Sequence, residues 1–252
     1  MKIVTFNIRC PWKNCDGIND FIHRAGFIFD KINRETPDVI AFQEVSPDSC
    51  ILLQKMFPEY DFFGSFREKG YTIEGLYTAI RKDGFSFMGS EVFWLSPTPF
   101  VVASRFENQS LCSRICLMTK VRNKQTNEVF RFYNVHLDHI SKEARMLGLK
   151  CVFEFMNEYD KREKLPNVIL GDFNAAPQDS VIQFACNKMG LFDATKDIAV
   201  TYHEYGKTEE KIDYIFLSQE IQDRVGKVEI WQDNKDGIYL SDHYPVCLTL
   251  GN

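Results

Sequence analysis

Hydrophobic and polar residues recur with two different periods along the chain, and the amino-terminal part shows both. Residues 2–8 are β-prone and alternate loosely between apolar and polar, which predicts a strand. Residues 17–35 predict an amphipathic helix that ends before Pro37. Its apolar face would consist of Ile18, Phe21, Ile22, Ala25, Phe29 and Ile32. The apolar run at 38–42 predicts a second strand, so the chain opens as strand–helix–strand.

The remainder of the chain is richer in strand patterns. Strands are predicted at 73–81, 84–95, 114–122, 129–137, 167–171, 211–217, 227–231 and 245–250. The segment NKQTNE (123–128) is typical of a hairpin turn, and helices are predicted at 143–158 and 178–189. Helices that separate runs of strands are typical of sheets packed face to face with helices outside. We therefore expect one α/β domain over residues 1–252.

Composition indicates a globular protein without a general attraction for polyanions. Hydrophobic residues make up 44% of the chain and charged residues 26%, which argues against disorder. The net charge of -5 gives no overall electrostatic attraction to nucleic acids or anionic membranes. A polyanionic substrate would have to be held by a local basic patch or by a bound metal ion.

Cysteine usage and the amino-terminus indicate a cytoplasmic protein. The chain has 8 cysteines, none of them in a CxxC pair, so reduced thiols are the expected state. The opening MKIVTFNIRC lacks the charged and apolar regions of a signal peptide. No apolar run approaches the roughly 18–20 residues that a membrane-spanning helix requires.

Polar side chains follow the ends of several predicted strands. A single Asp or Asn at such a position commonly caps a turn. Repetition at many strand ends is different, because functional sites of α/β proteins gather where neighbouring strands end. The positions concerned are Asn7, Glu44, His136, Asp172, Asn174, Asp213, Asp242 and His243.

The motifs around these residues, in chain order, resemble those of the endonuclease/exonuclease/phosphatase superfamily. They are MKIVTFNIR, AFQEV, NVHLDH, GDFNAAP, KIDYIF and SDHYPV, and they extend over essentially the whole chain. Members of the superfamily include pancreatic deoxyribonuclease, deadenylases, neutral sphingomyelinases and inositol polyphosphate phosphatases. The stretch FWLSPTP (93–99) is similar to a bacterial branch of uncharacterised hydrolases. The resemblance implies a two-sheet sandwich flanked by helices, with the active site at one edge.

The resemblance also implies metal-dependent hydrolysis of a phosphate ester. Mg²⁺ prefers oxygen ligands and keeps several of its waters, so one or two protein carboxylates suffice to bind it. We expect Glu44 to be the principal ligand of Mg²⁺, for which Mn²⁺ can substitute. Asn7 and Asp242 would be nearby ligands, either directly or through water.

The GDFN motif would position the attacking water and the phosphate. By resemblance, Asp172 would orient or deprotonate the water, and Asn174 would hold a phosphate oxygen. Side chains alternate along an extended segment, so these two would share one side while Phe173 turns into the core. Gly171 would let the backbone turn closely beneath the phosphate.

Two histidines complete the expected catalytic set. His243 would act as a base or as a cationic phosphate contact, oriented by Asp213, which would raise its pKa. His136 would contact the phosphate from the other side and pair with Glu74. The sequence leaves open which histidine is the acid or the base.

Arginines supply further candidate phosphate contacts. Arg9 matches the FNIR opening of deoxyribonuclease and is expected to touch substrate, although a structural salt bridge explains it equally well. Arg114 and Arg145 have weaker support, and His139 is expected to be an ordinary residue of a surface loop.

Three functions remain open from the sequence. The first is a nuclease that hydrolyses phosphodiester bonds in a nucleic acid or a nucleotide diester. The acidic net charge opposes it, although the segment FREKGYT (66–72) offers a small basic and aromatic cluster. The second is a phosphatase or phospholipase-type hydrolase of a soluble lipid headgroup, inositol phosphate or sugar phosphate. The third is a catalytically silent binding scaffold, which the complete motif set disfavours.

Overall fold

A computed structural model describes residues 1–11, 15–70 and 73–251, and among these it forms two six-stranded mixed sheets. In spatial order, the first sheet contains β11 (Val225–Ile230), β14 (Val246–Leu250), β1 (Lys2–Asn7), β2 (Val39–Val45), β4 (Gly75–Arg81) and β3 (Tyr60–Phe66). The second sheet contains β5 (Phe85–Trp94), β6 (Ile115–Asn123), β7 (Val129–His136), β8 (Asn167–Asp172), β10 (Asp213–Leu217) and β9 (Phe192–Asp193). A separate ribbon pairs β12 (Asn234–Lys235) with β13 (Ile238–Tyr239).

Helices cover the outer face of each sheet. Helices α1 (Phe21–Glu35) and α2 (Pro47–Met56) share an apolar cluster with the first sheet. Helices α3 (Lys142–Arg162) and α4 (Ser180–Asn187) share another with the second sheet. A third cluster lies between the sheets and contains side chains of both, such as Val39 and Val168. The molecule is therefore a four-layer sandwich, as predicted.

Strand direction brings several strand ends to one edge of the sandwich. β1 runs parallel to β2 in the first sheet, and β7 runs parallel to β8 in the second. The carboxyl ends of each parallel pair lie side by side, with His136 opposite Asp172. β10 is antiparallel to β8, so its first residue, Asp213, also lies opposite Asp172.

The helix predicted over residues 17–35 is divided at Asp20. A single 3₁₀ turn occupies Gly17–Asn19, and α1 follows after Asp20, whose backbone is extended. The predicted apolar face is partly wrong, because Ile18, Ile22 and Phe29 are exposed. The buried face consists of Phe21, Ala25, Ile28 and Ile32, the spacing of three and four residues that a helix requires.

Helix α2, strand β3 and the two-residue strands β9, β12 and β13 were absent from the sequence prediction. Helix α2 begins with Ser46, whose hydroxyl accepts from the backbone N–H of Ser49 in a capping box, with Pro47 in the first turn. β3 is an edge strand, which among the described residues pairs with β4 alone. α3 continues to Arg162, beyond its predicted end, whereas α4 is shorter than predicted.

None of the helices in the described ranges is both long and apolar enough to cross a membrane. A single domain over residues 1–252 stays a prediction, and its last residue, Asn252, lies outside the described residues.

Candidate active site

The strand ends gathered at one edge of the sandwich surround a cavity of about 460 Å³. Both sheets contribute to it. Most of the residues predicted from the sequence line this cavity, namely Arg9, Glu44, Glu74, His136, Asp172, Asn174, Asp242 and His243. Arg114, a weaker candidate, lines it as well. Asn7 and Asp213 are buried and hold the lining residues through hydrogen bonds.

Asp172 occupies the centre of the polar network. Its Oδ2 accepts a hydrogen bond from Asn7 Nδ2 at 3.1 Å. The same oxygen lies 3.5 Å from His136 Nε2 and 3.8 Å from His243 Nε2. Burial, followed by the nearby charge of Asp213, raises the pKa of Asp172 to about 7. A carboxyl group with a pKa near neutrality is suited to exchange a proton with water at physiological pH.

His243 is oriented by Asp213. Its Nδ1 lies 2.9 Å from Asp213 Oδ2, and both side chains are buried. Burial alone would lower the pKa of His243, but the charge of Asp213 and the hydrogen bond to it raise the pKa to about 10. The imidazole is therefore cationic at neutral pH, which makes it an electrostatic contact for a phosphate rather than a free base.

His136 has the opposite electrostatic character. Burial lowers its pKa well below the usual value, and the positive charges of Arg114 and Arg67 lower it further. The imidazole is thus neutral and carries one N–H donor. The two histidines beside Asp172 therefore differ in charge, a distinction that the sequence left open.

Glu44 and Asn7 are linked by a direct hydrogen bond. Asn7 Nδ2 donates to Glu44 Oε1 at 3.1 Å, and the backbone N–H of Cys10 donates to Glu44 Oε2 at 3.0 Å. Burial would raise the pKa of Glu44, but these donors, with His243 and Arg9, hold it below the usual value. The amide oxygen of Asn7 accepts from the backbone N–H of Arg9, and its second lone pair would be free for a metal ion. The ligand role of Asn7 stays a prediction.

The charge of the cavity fits a divalent cation. Glu44 and Asp242 both line the cavity, and burial first raises the pKa of Asp242, which the charge of His243 lowers and the charge of Glu44 raises. Carboxylate oxygens held together in this way are the donors that Mg²⁺ prefers. The ligand atoms of Asp172, Asp213 and His243 also lie within 4.8 Å of one another. His243 Nδ1 already bonds Asp213 there, so Glu44 and Asp242 are the better candidates.

The backbone is strained at three positions in the site. Arg9, Glu44 and Asn174 have φ values of 57°, 58° and 48°, in the left-handed region that non-glycine residues rarely adopt. At Glu44 the pairing of β2 with β4 shifts register, which directs its side chain into the cavity. Conformations of this kind concentrate at functional sites, where the surrounding structure enforces them.

The GDFN motif has the predicted orientation. Asp172 and Asn174 line the cavity, and Phe173 is buried against Tyr214 and Phe216. Asp172 Oδ1 accepts from the Asn174 N–H at 2.8 Å, an Asx turn that fixes the segment. One N–H of the Asn174 amide donates to the carbonyl of Leu137, which leaves its second N–H available to a ligand.

Gly171 has a different role from the predicted one. Its φ is 145°, and a Cβ at this position would lie 1.9 Å from the carbonyl oxygen of Val135 on β7. The glycine therefore permits the close approach of β7 and β8, which brings His136 beside Asp172.

Glu74 forms its ion pair with Arg67 rather than with His136. Both residues of this pair are buried and line the cavity, and burial raises the pKa of Glu74 to about 7. Arg67 belongs to the segment FREKGYT, whose Tyr71 and Thr72 lie outside the described residues. Arg145, another candidate, is fixed through Nη1 to the carbonyl of Asp138 and is not part of the cavity lining.

Arg9 forms a structural ion pair and also lines the cavity. Its guanidinium forms a salt bridge with Asp16 at 3.2 Å and lies 3.7 Å from Asp242. It also lines the cavity, so its structural ion pair and its exposure to a ligand coexist.

Sequence reasoning missed six residues of the lining, and three of them, Arg67, His139 and Tyr202, contact residues that it did predict. His139 contacts Arg114, and Tyr202 packs against His243 with ring centroids 4.8 Å apart. Arg67 was noted only as part of a basic segment. These three lie outside the main strands, where no local pattern marks a side chain as part of a site.

The sequence of motifs and this geometry agree with a family-level comparison. The model of the Endonuclease/Exonuclease/phosphatase family matches residues 4–243. The chain belongs to the endonuclease/exonuclease/phosphatase family. Its family and structural neighbours are hydrolytic phosphoesterases. No curated protein sequence is a significant match to the chain.

Solved structures of the family are similar over the full length. An endonuclease/exonuclease/phosphatase from Bacteroides vulgatus is 28% identical, with a TM-score of 0.88 over 99% of this chain and 98% of that one. A mannosyl-6-phosphatase from Bacteroides thetaiotaomicron is 25% identical, with a TM-score of 0.89 over 100% of both chains.

A more distant structure shares the fold alone. The TDP2 protein of D. rerio, in complex with a single-strand DNA product, is 20% identical, with a TM-score of 0.74. The structural alignment covers 100% of this chain and 99% of the TDP2 chain.

Proposed function

We propose that this protein is a metal-dependent phosphatase that hydrolyses the phosphate monoester of a small phosphorylated sugar. The observation that carries the proposal is the set of three guanidinium groups, Arg9, Arg67 and Arg114, that line one cavity with the acidic cluster. A monoester phosphate carries up to two negative charges on three terminal oxygens, so it needs more cationic donors than a diester does.

The size of the cavity and the charge of the chain support a small substrate. A volume of about 460 Å³ is in the range of small-molecule sites. The net charge of -5 gives no attraction to a long polyanion. A structural neighbour that is 25% identical is a mannosyl-6-phosphatase. A sugar phosphatase therefore replaces the nuclease as the first candidate function.

The proposed roles follow from the electrostatics of each residue. Asp172 orients the attacking water and accepts its proton, as its pKa of about 7 permits. The cationic His243 and the neutral N–H of His136 contact the phosphate oxygens on either side of Asp172. As the P–O bond to the sugar breaks, the leaving oxygen takes a proton from water or from a neighbouring acid.

Glu44 and Asp242 would hold Mg²⁺, for which Mn²⁺ can substitute. When bound, the ion would supply Lewis-acid polarisation of a phosphate oxygen. Glu44 is suited to this position because it stays ionised, and the hydrogen bonds from Asn7 and Cys10 fix its two oxygens.

A nuclease acting on a nucleic acid or a nucleotide diester is the second candidate. It is favoured by the FNIR opening and by Tyr202, an aromatic ring in the cavity lining on which a base could stack. A phospholipase-type hydrolase and a silent scaffold have less support. A cytoplasmic location also stays a prediction.

Product analysis separates these candidates. The protein would be incubated with Mg²⁺, Mn²⁺ or EDTA and with mannose 6-phosphate, glucose 6-phosphate, inositol phosphates and a short-chain phosphoinositide. End-labelled single-stranded RNA, single-stranded DNA and abasic duplex would be run in parallel. We expect metal-dependent release of inorganic phosphate from a sugar phosphate, with polynucleotides intact.

Two variants calibrate the assay. Asp172→Asn should lower the rate by about 10²- to 10⁴-fold, the usual effect of losing a general base. Asp48→Asn, at an exposed position on α2, should leave it unchanged. Shortened polynucleotides without phosphate release would identify a nuclease, and hydrolysis of none of the substrates would favour the scaffold.

A further inference from the structure

Arg114 is a buried cation with unsatisfied donors. It is 4% exposed and lies immediately before β6, where its backbone carbonyl accepts from the Leu95 N–H at 2.8 Å. Its Nε and Nη1 have no hydrogen-bond partner among the described residues. These two nitrogens carry three N–H groups. Because buried donors are normally paired, this guanidinium is prepared for an anionic ligand.

The third nitrogen of Arg114 is held by His139. Arg114 Nη2 lies 2.9 Å from His139 Nδ1. A guanidinium has no acceptor and keeps its proton, so the imidazole must accept through an unprotonated Nδ1. His139 is therefore neutral and carries its proton on Nε2. Burial and then the charge of Arg114 lower the pKa of His139, which agrees with this tautomer.

The loop that carries His139 is fixed by Asp138. Asp138 Oδ1 accepts from the backbone N–H groups of Ile140 and Ser141, at 3.0 and 2.6 Å. Its Oδ2 accepts from the backbone and hydroxyl of Ser110, on the segment that leads to Arg114. The two chain segments that present His139 and Arg114 are thus tied together, and the imidazole has a rigid support.

We propose that His139 is a positioning residue, which holds the Arg114 guanidinium so that its unpaired N–H groups meet an oxyanion of the substrate. The inference deepens the proposed function, and rests on it only for the identity of the substrate. It makes His139 a part of phosphate recognition although the residue lies at an exposed position. Without the imidazole, Arg114 would keep its charge but lose the contact that fixes its orientation.

The orientation should depend on the charge of His139. Protonation of Nδ1 would place a second cation against Arg114 and break the hydrogen bond between them. The charged groups that act on His139 are Arg114 and Arg67, which disfavour protonation, and Asp138 and Glu44, which favour it. Acidification should therefore release Arg114 and weaken its contact with the anion, while the neutralisation of Asp172 and Glu74 acts in the opposite direction in every variant.

The test measures anion binding without catalysis. Sulfate is the probe because it stays a dianion across the pH range, and its affinity would be measured by titration calorimetry. At pH 7.5 we expect His139→Ala to weaken sulfate binding about tenfold, the effect of one lost oriented contact to a charged group. His139→Asn, whose amide oxygen can replace Nδ1 as acceptor, should stay within about threefold of the wild type.

A matched control and a pH series complete the design. His23→Ala, at an exposed position on α1, should bind sulfate as the wild type does. On acidification below pH 6.5 the affinity of the wild type should fall relative to that of His139→Asn, because only the wild type has, beside Arg114, an imidazole whose pKa is lowered from 6.5. A merely structural role of His139 would not produce this difference.

The possible outcomes separate this inference from the proposed substrate. Equal sulfate affinity in the wild type and His139→Ala, or no rescue by His139→Asn, would overturn the role of His139. Weakened sulfate binding in a protein that hydrolyses no sugar phosphate would support it and refute the proposed function. If a sugar phosphate is hydrolysed, His139→Ala should raise KM about tenfold and change kcat little.

Discussion

Replacement of Gly171 by alanine tests how closely β7 and β8 must approach. The new Cβ would lie 1.9 Å from the carbonyl oxygen of Val135, and 2.9 Å from its carbonyl carbon. These atoms belong to the backbone of a paired strand, so no side-chain rotation relieves the overlap. The strands would have to separate by about 1 Å, because packed atoms strongly resist such contacts.

Two effects set the magnitude. An alanine at a φ of 145° costs about 1–3 kcal/mol in backbone strain. Forced separation of packed elements costs about 1–3 kcal/mol more. We therefore expect Gly171→Ala to lower the free energy of unfolding by about 2–6 kcal/mol, a large part of the roughly 5–15 kcal/mol typical of a domain. Catalysis should fall as well, since His136 and Asp172 lie one residue beyond the overlap.

Urea unfolding followed by circular dichroism measures the first effect, and the rate of phosphate release at saturating substrate measures the second. Gly89→Ala is the matched control, because a Cβ at this β5 position meets no atom within 4 Å. It should change the free energy of unfolding by less than about 1 kcal/mol. If Gly171→Ala is as stable as Gly89→Ala, the steric explanation of this glycine is wrong.

Two further changes test buried polar groups. Burial, and then the charge of His243, lowers the pKa of His203 to about 4. The unfolded chain, in which this histidine has its ordinary pKa of 6.5, therefore binds a proton more readily than the folded protein. The stability of the fold is unaffected above pH 6.5 and falls as the pH decreases towards 4. His203→Phe should therefore reduce the loss of unfolding free energy between pH 7 and pH 4.5 by about 2 kcal/mol in urea titrations, and an unchanged loss would contradict the pKa. Arg24 is fully buried and donates to the carbonyls of Ile8, Arg9, Asn19 and Leu240. Arg24→Met should cost about 3 kcal/mol or more in thermal or urea unfolding, against little change for the exposed Arg34→Met, and equal costs would show that these bonds are dispensable.

The strands and the strand-end residues were predictable because both depend on local pattern. Apolar runs such as the one at 167–171 form central strands with neighbours on both sides, so their composition reflects burial directly. β3 was not predictable in this way. Its residues are partly exposed and include Gly64, where a Cβ would lie 2.3 Å from the carbonyl of Leu76. Its pairing with β4 is a tertiary effect.

Partners of the predicted residues were harder to foresee than the residues themselves. The sequence predicts a contact between Glu74 and His136, but Glu74 forms an ion pair with Arg67 instead. The backbone carbonyl of Arg67 is fixed by Trp94 Nε1 and by the hydroxyl of Ser113, which are far from it in sequence. Contacts of this range leave no periodic signal. The difference in pKa between His136 and His243 also depends on such long-range contacts, with Arg114 and Arg67 in one case and with Asp213 in the other.

Two of the three left-handed residues described above have an evolutionary consequence. Both Arg9 and Glu44 present a charged group to the cavity, where Asp16 pairs with the first and Asn7 and Cys10 donate to the second. Such a conformation costs about 1–3 kcal/mol at each position, and glycine would remove most of that cost. Selection for thermal stability alone would thus accept glycine at these positions and discard the guanidinium and carboxylate that they carry. The presence of these two residues in such a backbone is explained by the charged groups that they place in the cavity.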